Sequence, residues 1–267
     1  MTKAWEGVIQ APLEGRKTKP REEGITMVID KGIGLQGIKD LIEMAGDYID
    51  IIKLAFGTSA FYDHNLLRKK NEIITSSHID VMPGGTFLEV AVWQGVLKPY
   101  LNKAKELGFS ALEISDGTIE IDSTARGAII KQSIEAGFRV ITEVGKKDPT
   151  EVLPVSLKHQ LISQDMENGA FKVIIEAREA GKGVGIYDQE GQIKENELEN
   201  LIAGVKELNC LIWEAPLRSQ QQALILRFGT KVNLGNIPKE EILPLEALRQ
   251  GLRGDTLKKA YQERKDW

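Results

Sequence analysis

The feature of this sequence that most constrains its fold is the alternation of short apolar runs with longer amphipathic segments. Eight runs are rich in Val, Ile and Leu and are bounded by Gly, Pro or charge, which is typical of strands buried on both faces. They are ITMVID (25–30), YIDIIKLA (48–55), HIDVMP (78–83), SALEIS (110–115), FRVITEV (138–144), FKVIIEA (171–177), CLIWEA (210–215) and KVNLG (231–235). Between them, segments such as 97–108 and 195–209 repeat apolar residues every three or four positions, which predicts helices.

Strict alternation of strand and helix predicts an α/β protein with parallel strands and right-handed crossovers. Eight such units are the number that closes a barrel, and 267 residues are close to the roughly 250 that one barrel needs. We therefore predict a single (β/α)₈ TIM barrel over residues 21–257, with an N-terminal extension (1–20) and a C-terminal tail (258–267). An open doubly wound sheet is the alternative, but DKGIGLQG (30–37) after the first strand lacks the GxGxxG dinucleotide pattern.

Composition excludes several classes of partner. The 35 basic and 39 acidic side chains give a net charge of -4, so no overall field favours nucleic acid or anionic lipid. The single cysteine, Cys210, excludes an intrachain disulfide and a cysteine-based metal site, and it favours a reducing, cytoplasmic location. No stretch of about 18 apolar residues occurs, so no membrane segment is expected.

Carboxylates follow most of the predicted strands. Asp30 ends the first run, and Glu113, Glu143, Glu176 and Glu214 end the fourth to the seventh. One such residue alone is commonly a helix cap or a solvated loop residue. In a barrel, however, all five point into one mouth, where they cannot all stay ionised without compensating cations.

Two sources of positive charge are available at the same mouth. One is the set of lysines Lys53, Lys146 and Lys147. The other is a divalent ion, and oxygen ligands without Cys and with few His favour a hard ion, Mg²⁺ before Zn²⁺.

Several turns after the strands could hold a phosphate group, because their glycines let backbone N–H groups approach an anion closely. They are FGTSA (56–60), PGGT (83–86), EAGKGVG (179–185) and NLGNI (233–237). The last carries the most weight, since barrel phosphate sites are often built from the loops after the seventh and eighth strands. Arg178 and Arg218 follow the sixth and seventh strands and could clamp an anion.

Ten strings in the same order together resemble the phosphosulfolactate synthase family, from about residue 20 to about residue 257. They are GITMVIDKG (24–32), GDYIDIIKLAFGTSA (46–60), PGGT (83–86), EISDG (113–117), TEVGKK (142–147), VIIEARE (173–179), KENELE (194–199), EAPLRSQQ (214–221), VNLGNI (232–237) and LEALRQGLRGDT (245–256). Many collinear strings are far more specific than one motif.

The resemblance implies a barrel enzyme that adds sulfite to phosphoenolpyruvate with Mg²⁺, giving (2R)-phospho-3-sulfolactate. It implies a proton donor in TEVGKK, for which we predict Lys146, with Lys147 as the nearest alternative. Lys53 is expected to pair with the substrate carboxylate or with sulfite.

The resemblance also suggests how the other ligands are held. The expected metal ligands are Glu113, Glu143 and Glu176, with Asp30 as a fourth or outer ligand. The expected phosphate contacts are Arg178, Arg218 and the backbone at Gly235 and Asn236. The expected partners are small molecules, and a homo-oligomer is expected because barrels commonly associate.

Two other functions fit the same residues. Another Mg²⁺-dependent barrel enzyme, such as an aldolase or an enolase-like lyase acting on a phosphorylated acid, could use the same glutamates. A non-catalytic, stress-associated protein similar to plant relatives could act through protein contacts, but a scaffold has no need for costly like charges in one place.

Overall fold

The computed structural model describes residues 3–148 and 150–263 and contains one sheet of eight parallel strands. The strands are β1 (Thr26–Asp30), β2 (Ile51–Leu54), β3 (Asp80–Pro83), β4 (Ala111–Ile114), β5 (Arg139–Val144), β6 (Lys172–Ile175), β7 (Leu211–Glu214) and β8 (Leu234–Ile237). Their order is β3-β2-β1-β8-β7-β6-β5-β4. The predicted (β/α)₈ barrel is thereby confirmed.

The barrel is nearly closed between β3 and β4. The backbone N–H of Ser110 donates to the carbonyl of Val81 at 3.1 Å, and the backbone N–H of Val81 donates to Ser110 Oγ at 3.0 Å. One serine at the start of β4 thus bridges the gap in the sheet.

Ten helices lie among the described residues. They are α1 (Leu35–Ala45), α2 (His64–Thr75), α3 (Gly85–Trp93), α4 (Leu97–Glu106), α5 (Ser123–Glu135), α6 (Val155–Glu167), α7 (Glu195–Ala203), α8 (Arg218–Phe228), α9 (Ile242–Arg249) and α10 (Gly254–Glu263). Within the described ranges no helix has the length and apolar character needed to cross a membrane. The predicted tail, 258–267, begins inside α10, and residues 264–267 lie outside the described residues.

Side chains inside the barrel follow the two-residue period of strands. A layer of apolar side chains fills the interior, formed by Ile25, Met27, Ile51, Met82, Ala111, Ile141, Ile174 and Ile212. In five strands the residue two positions after its member of this layer is charged, and these residues are Lys53, Glu113, Glu143, Glu176 and Glu214. The same face of each strand is therefore apolar in the middle of the barrel and charged at its C-terminal mouth.

The eighth strand begins later than predicted, at residue 234 instead of 231. Asn233, the first residue of the NLGNI turn expected at the mouth, lies at the opposite end of the barrel, which corrects that expectation. Its side-chain oxygen accepts from the N–H of Ile25 at 3.0 Å, and its amide nitrogen donates to the carbonyl of Leu211 at 2.9 Å. An amide that satisfies backbone groups of two neighbouring strands replaces regular pairing at this position.

The N-terminal segment crosses that opposite end of the barrel. Arg21 forms an ion pair with Asp50 at 2.9 Å, just before β2. Lys19 Nζ donates to the carbonyl of Ile49 at 2.6 Å, and Arg16 pairs with Glu246 of α9 at 2.9 Å. These contacts close the N-terminal end and leave the C-terminal end as the open mouth.

Candidate active site

A cavity of about 390 Å³ lies at the C-terminal ends of the strands. Its charged lining comes from five strands or the loops after them. These side chains are Lys53, Glu113, Glu143, Lys147, Glu176, Arg178, Glu179 and Glu214. Since barrel enzymes carry their chemistry at this face, the cavity is the candidate active site.

Lys53 is held among carboxylates from three other strands. Its Nζ lies 2.8 Å from Glu113 Oε2, 3.3 Å from Glu214 Oε1 and 3.5 Å from Glu143 Oε2. Burial lowers the pKa of Lys53, but the charges of these glutamates outweigh it and raise the pKa well above its ordinary value. Lys53 is therefore a fixed cation in the cavity.

Lys147 is the second ammonium group of the cavity. Its Nζ lies 2.5 Å from Glu143 Oε1 and 2.9 Å from Glu176 Oε2. The side chain of its neighbour, Lys146, does not line this cavity, and Lys146 Nζ donates to the carbonyl of Asp116 at 2.8 Å. Of the two adjacent lysines, the structure thus brings Lys147 to the glutamates.

Three glutamates could share a metal ion. One carboxylate oxygen from each of Glu143, Glu176 and Glu214 lies within 4.8 Å of the other two, and all three residues are buried. Glu113 lies at the side of this group, where Gly85 N–H donates to its Oε1 at 2.9 Å and Lys53 meets its Oε2. Two of the four expected ligands therefore belong to this triad.

The charges of the cavity do not balance. If all four buried carboxylates were ionised, they would exceed the two ammonium groups by two negative charges. Burial raises the pKa of Glu113 to about 7, although Lys53 opposes the rise. Burial, together with the charges of Glu143 and Glu214, raises the pKa of Glu176 well above its ordinary value. The deficit and the all-oxygen donor set fit one hard divalent cation.

Glu143 behaves differently from its neighbours because it faces both lysines. Burial acts to raise its pKa, but Lys147 and Lys53 outweigh burial and hold the pKa of Glu143 well below its usual range. Glu143 is therefore the permanently ionised member of the triad.

Small residues and unusual backbone shape the cavity. A Cβ on Gly85 would lie 2.7 Å from Glu113 Oε1 and would overlap Ser115 Oγ, so only glycine lets the start of α3 approach the carboxylate. Phe56, Arg178 and Asn236 line the cavity with positive φ angles of 58°, 60° and 53°. Strained non-glycine residues of this kind concentrate at binding sites.

The expected phosphate contacts divide into two groups. Arg178 and Asn236 line the cavity, where Asn236 is 3 % exposed. Arg218 does not line the cavity. Its side chain is 65 % exposed, and its Nη2 lies 2.6 Å from Glu241 Oε1. Gly235 lies inside β8, where a Cβ would come within 2.6 Å of Met27 Cε.

Asp30, expected as a metal ligand, is used otherwise. Its carboxylate lies 2.6 Å from Lys70 Nζ and accepts from the N–H groups of Gly32 and Ile33 at 2.8 and 2.7 Å. Lys70 donates in turn to the carbonyl of Ile33 at 2.7 Å. This buried network fixes the loop after β1 and is separate from the carboxylate triad.

Several further residues, for which the sequence pattern predicts no role, support the site. Glu214 was recognised as a strand-end glutamate but was not assigned to the metal. Arg126 of α5 donates to the carbonyl of Glu143 at 3.0 Å, and Glu89 of α3 accepts from the N–H of Thr118 at 2.9 Å. A charged residue on the apolar face of a predicted helix is the signal that could have pointed to the last two.

Fold and site together define a (β/α)₈-barrel protein with a polar, carboxylate-rich cavity at its C-terminal mouth. Residues 14–255 match the family model described as (2R)-phospho-3-sulfolactate synthase (ComA), and the chain belongs to that enzyme family. The resemblance read from the sequence is thereby confirmed, and family membership implies small-molecule substrates.

Named relatives agree with this family. The phosphosulfolactate synthase of Methanothermobacter thermautotrophicus is 44% identical over 246 residues, covering 91% of this chain and 95% of the relative. That of Methanocaldococcus jannaschii is 45% identical over 240 residues, covering 89% and 95%. Phosphonopyruvate hydrolase, solved with oxalate and Mg²⁺, has a TM-score of 0.54 at 16% identity and covers 90% of this chain and 85% of its own. The last likeness concerns the barrel fold alone.

Proposed function

We propose that this chain is a phosphosulfolactate synthase of the carbon–sulfur lyase class, which adds sulfite to phosphoenolpyruvate with Mg²⁺. The product is (2R)-phospho-3-sulfolactate. Beside family membership, the observation that carries the proposal is the pairing, within one buried cavity, of a lysine ammonium with two members of a carboxylate triad. That arrangement offers a proton donor next to a site for a hard cation.

The proposed reaction forms one carbon–sulfur bond and breaks no bond to phosphorus. The sulfur lone pair of sulfite attacks the methylene carbon, C3, of phosphoenolpyruvate. The π electrons of C2=C3 move toward the carboxylate and give an enediolate-like intermediate. A proton delivered to C2 then restores the carboxylate and completes the product.

The proposed metal ligands are Glu143, Glu176 and Glu214, whose oxygens lie close enough to share one ion. Bound there, Mg²⁺ supplies Lewis-acid stabilisation of negative charge on a substrate carboxylate. Glu113 is proposed to hold Lys53 in place instead of binding the ion, since its Oε2 lies 2.8 Å from Lys53 Nζ.

Lys147 is the proposed proton donor. Its ammonium group reaches the cavity, and Glu143 and Glu176 fix its position. Burial lowers the pKa of Lys147, but the two carboxylates outweigh it and raise the pKa, so the group carries a proton at neutral pH. Positioned general acids of this kind typically contribute about 10²–10⁴-fold to a rate.

The remaining cations are proposed to bind the anionic substrates. Lys53 offers positive charge to the substrate carboxylate or to sulfite. Arg178 and Asn236, from the loop after β6 and from β8, are the proposed phosphate contacts. Lys53 and Arg178 reach the cavity from widely separated strands, so the carboxylate and the phosphate of phosphoenolpyruvate could be bound separately and oriented.

The test is product formation from phosphoenolpyruvate and sulfite, followed by phosphorus NMR with and without Mg²⁺. Lys147→Met is compared with Lys131→Met, at an exposed lysine of α5 that does not line the cavity. We expect metal-dependent product from the parent and a loss of about 10²–10⁴-fold in Lys147→Met. No product from the parent with any divalent metal would favour a different barrel lyase or a non-catalytic role.

A further inference from the structure

The loop after β4, residues 115–119, lies directly against Lys147. The backbone N–H of Lys147 donates to the carbonyl of Gly117 at 3.1 Å. A Cβ on Gly117 would lie 3.0 Å from Lys147 Nζ and 3.1 Å from its Cγ, so the side chain packs against the glycine. The loop therefore supports, from one side, the Lys147 side chain whose ammonium group Glu143 and Glu176 hold from the other.

Side chains from three directions hold the same loop. Lys146 Nζ donates to the carbonyl of Asp116 at 2.8 Å, and Arg126 Nη1 donates to Asp116 Oδ1 at 3.1 Å. From the other side, Glu89 accepts from the N–H groups of Thr118 and Ile119, each at 2.9 Å. None of these contacts uses a carboxylate of the triad.

Arg126 also connects the loop to β5, the strand that carries Glu143 of the triad. Its guanidinium is 1 % exposed and binds both oxygens of Asp165 on α6, at 2.8 and 2.7 Å. Its Nη2 donates to the backbone carbonyl of Glu143 at 3.0 Å. One rigid group thus holds both Asp116 and the backbone of the glutamate that pairs with Lys147.

Lys146 lines a second, smaller cavity of about 110 Å³, together with residues such as Leu153 and Gly183. Lys146 therefore does not line the main cavity, although it is the residue next to Lys147 in the chain. We propose that Lys146, together with Arg126, is a positioning residue that holds the loop after β4 and so fixes the Lys147 ammonium for proton transfer. This inference rests on the proposed role of Lys147 as proton donor.

The physical basis is the steep dependence of proton transfer on geometry. A displacement of about 1 Å in a reacting group can lower a rate on the order of 10²-fold. Without the Lys146 ammonium, the carbonyl of Asp116 loses this donor, and the side-chain contacts that still hold the loop are those of Arg126 and Glu89. Substrate binding is expected to change little, because Lys146 does not line the main cavity.

The experiment compares Lys146→Met, the conservative variant Lys146→Arg and the surface control Lys131→Met on α5. We expect kcat to fall about 10- to 100-fold in Lys146→Met, while KM for phosphoenolpyruvate stays within about twofold. We also expect product of the opposite configuration at C2, because solvent can protonate a misplaced intermediate from either face. Lys146→Arg restores most of kcat, and Lys131→Met behaves as the parent.

NMR of ¹⁵N-labelled lysine side chains tests the same inference without the reaction. A fixed Lys147 ammonium gives a signal that disappears in Lys147→Met. That signal is expected to broaden or shift in Lys146→Met and to persist in Lys131→Met. If the parent forms no product, this measurement still decides whether Lys146 positions Lys147, so the two proposals fail separately.

Two results would overturn the inference. An unchanged Lys147 signal with unchanged kcat and stereochemistry in Lys146→Met would show that the loop holds its place without this lysine. Loss of activity in both Lys146 variants, with full activity in Lys147→Met, would make Lys146 itself the proton donor.

Discussion

The two ends of the barrel differ in how their buried charged side chains are paired. At the N-terminal end, Arg21 is paired with Asp50 and Arg16 with Glu246. The fully buried Arg249 donates to three backbone carbonyls, those of Thr230, Val232 and Ile25. At the mouth, four buried glutamates share two lysines. If all four were ionised, the lysines would leave two of their negative charges unpaired.

Backbone conformation shows the same contrast. Four described non-glycine residues have a positive φ, and three of them, Phe56, Arg178 and Asn236, line the mouth. The fourth, His78, lies near the start of β3. Strain and unbalanced charge both cost stability, and they persist where a ligand can offset them. The N-terminal end of the barrel therefore contributes mainly to stability, and the C-terminal mouth contributes the chemistry.

The largest expected effect is at the mouth, with Glu143→Gln. Its carboxylate meets both lysines and belongs to the metal triad, so we expect synthase activity to fall about 10³-fold or more. The free energy of unfolding of the metal-free protein should also fall, by about 1.5–3 kcal/mol, because both buried lysines lose a charged hydrogen-bond partner while the other glutamates still compensate them. Steady-state kinetics and urea unfolding measure the two quantities. Glu151→Gln, on the exposed part of the same loop, is the control, and equal losses in both variants would contradict the assignment.

At the opposite end, Arg249→Met should lower the stability of the fold and leave the activity almost unchanged. Three buried carbonyls lose their donor, which should lower the free energy of unfolding by about 2–4 kcal/mol. The activity of the folded protein should stay within about twofold of the parent. Arg253→Met, at a less buried arginine four residues along, serves as the control in the same urea titration. A large loss of kcat in folded Arg249→Met would break the division between the two ends.

A divalent ion should stabilise the mouth and leave the other end unaffected. With Mg²⁺ at about 100 times its Kd, linkage adds about 2.7 kcal/mol to the free energy of unfolding. Glu176→Gln should abolish this gain, because it removes one of three clustered carboxylates. Glu179→Gln, which alters a cavity residue outside the triad, should retain it. Thermal unfolding with and without Mg²⁺ gives the comparison, and equal stabilisation of both variants would place the ion elsewhere.

The sequence predicted the barrel because the pattern that specifies it is local. Each strand needs only a short apolar run, and each helix a periodic face, so all eight strands were recognised. The start of the eighth strand was predicted three residues too early, because it depends on hydrogen bonds between Asn233 and Ile25, next to β1, and between Asn233 and Leu211 of β7. Such contacts join residues far apart in sequence and leave no periodic signal.

The candidate site was predicted in part for the same reason. The two-residue period carries Lys53 and the glutamates to the mouth, and it is visible in the sequence. Whether Lys146 or Lys147 reaches the cavity depends on the turn at Gly145, which has a φ of 142° and lies against Glu176. Whether a strand-end acid joins the cavity also depends on its partner, as Lys70 shows by holding Asp30. Neither is encoded in spacing.

The smallest expected effect is a pH dependence at the N-terminal end. Burial acts to raise the pKa of Glu246, but hydrogen bonds and charge from Arg16 outweigh it and hold that pKa below its ordinary value. The pair therefore stabilises the fold above about pH 4.5, and the contribution is lost as pH falls toward the folded-state pKa. The double variant Arg16→Met/Glu246→Gln should remove about 1 kcal/mol of this acid-sensitive stability. Urea unfolding from pH 3 to pH 7 measures it, with Lys259→Met/Glu263→Gln on the surface as control. If the parent and the double variant lose stability in parallel on acidification, this pair does not contribute to the acid sensitivity of the closed end.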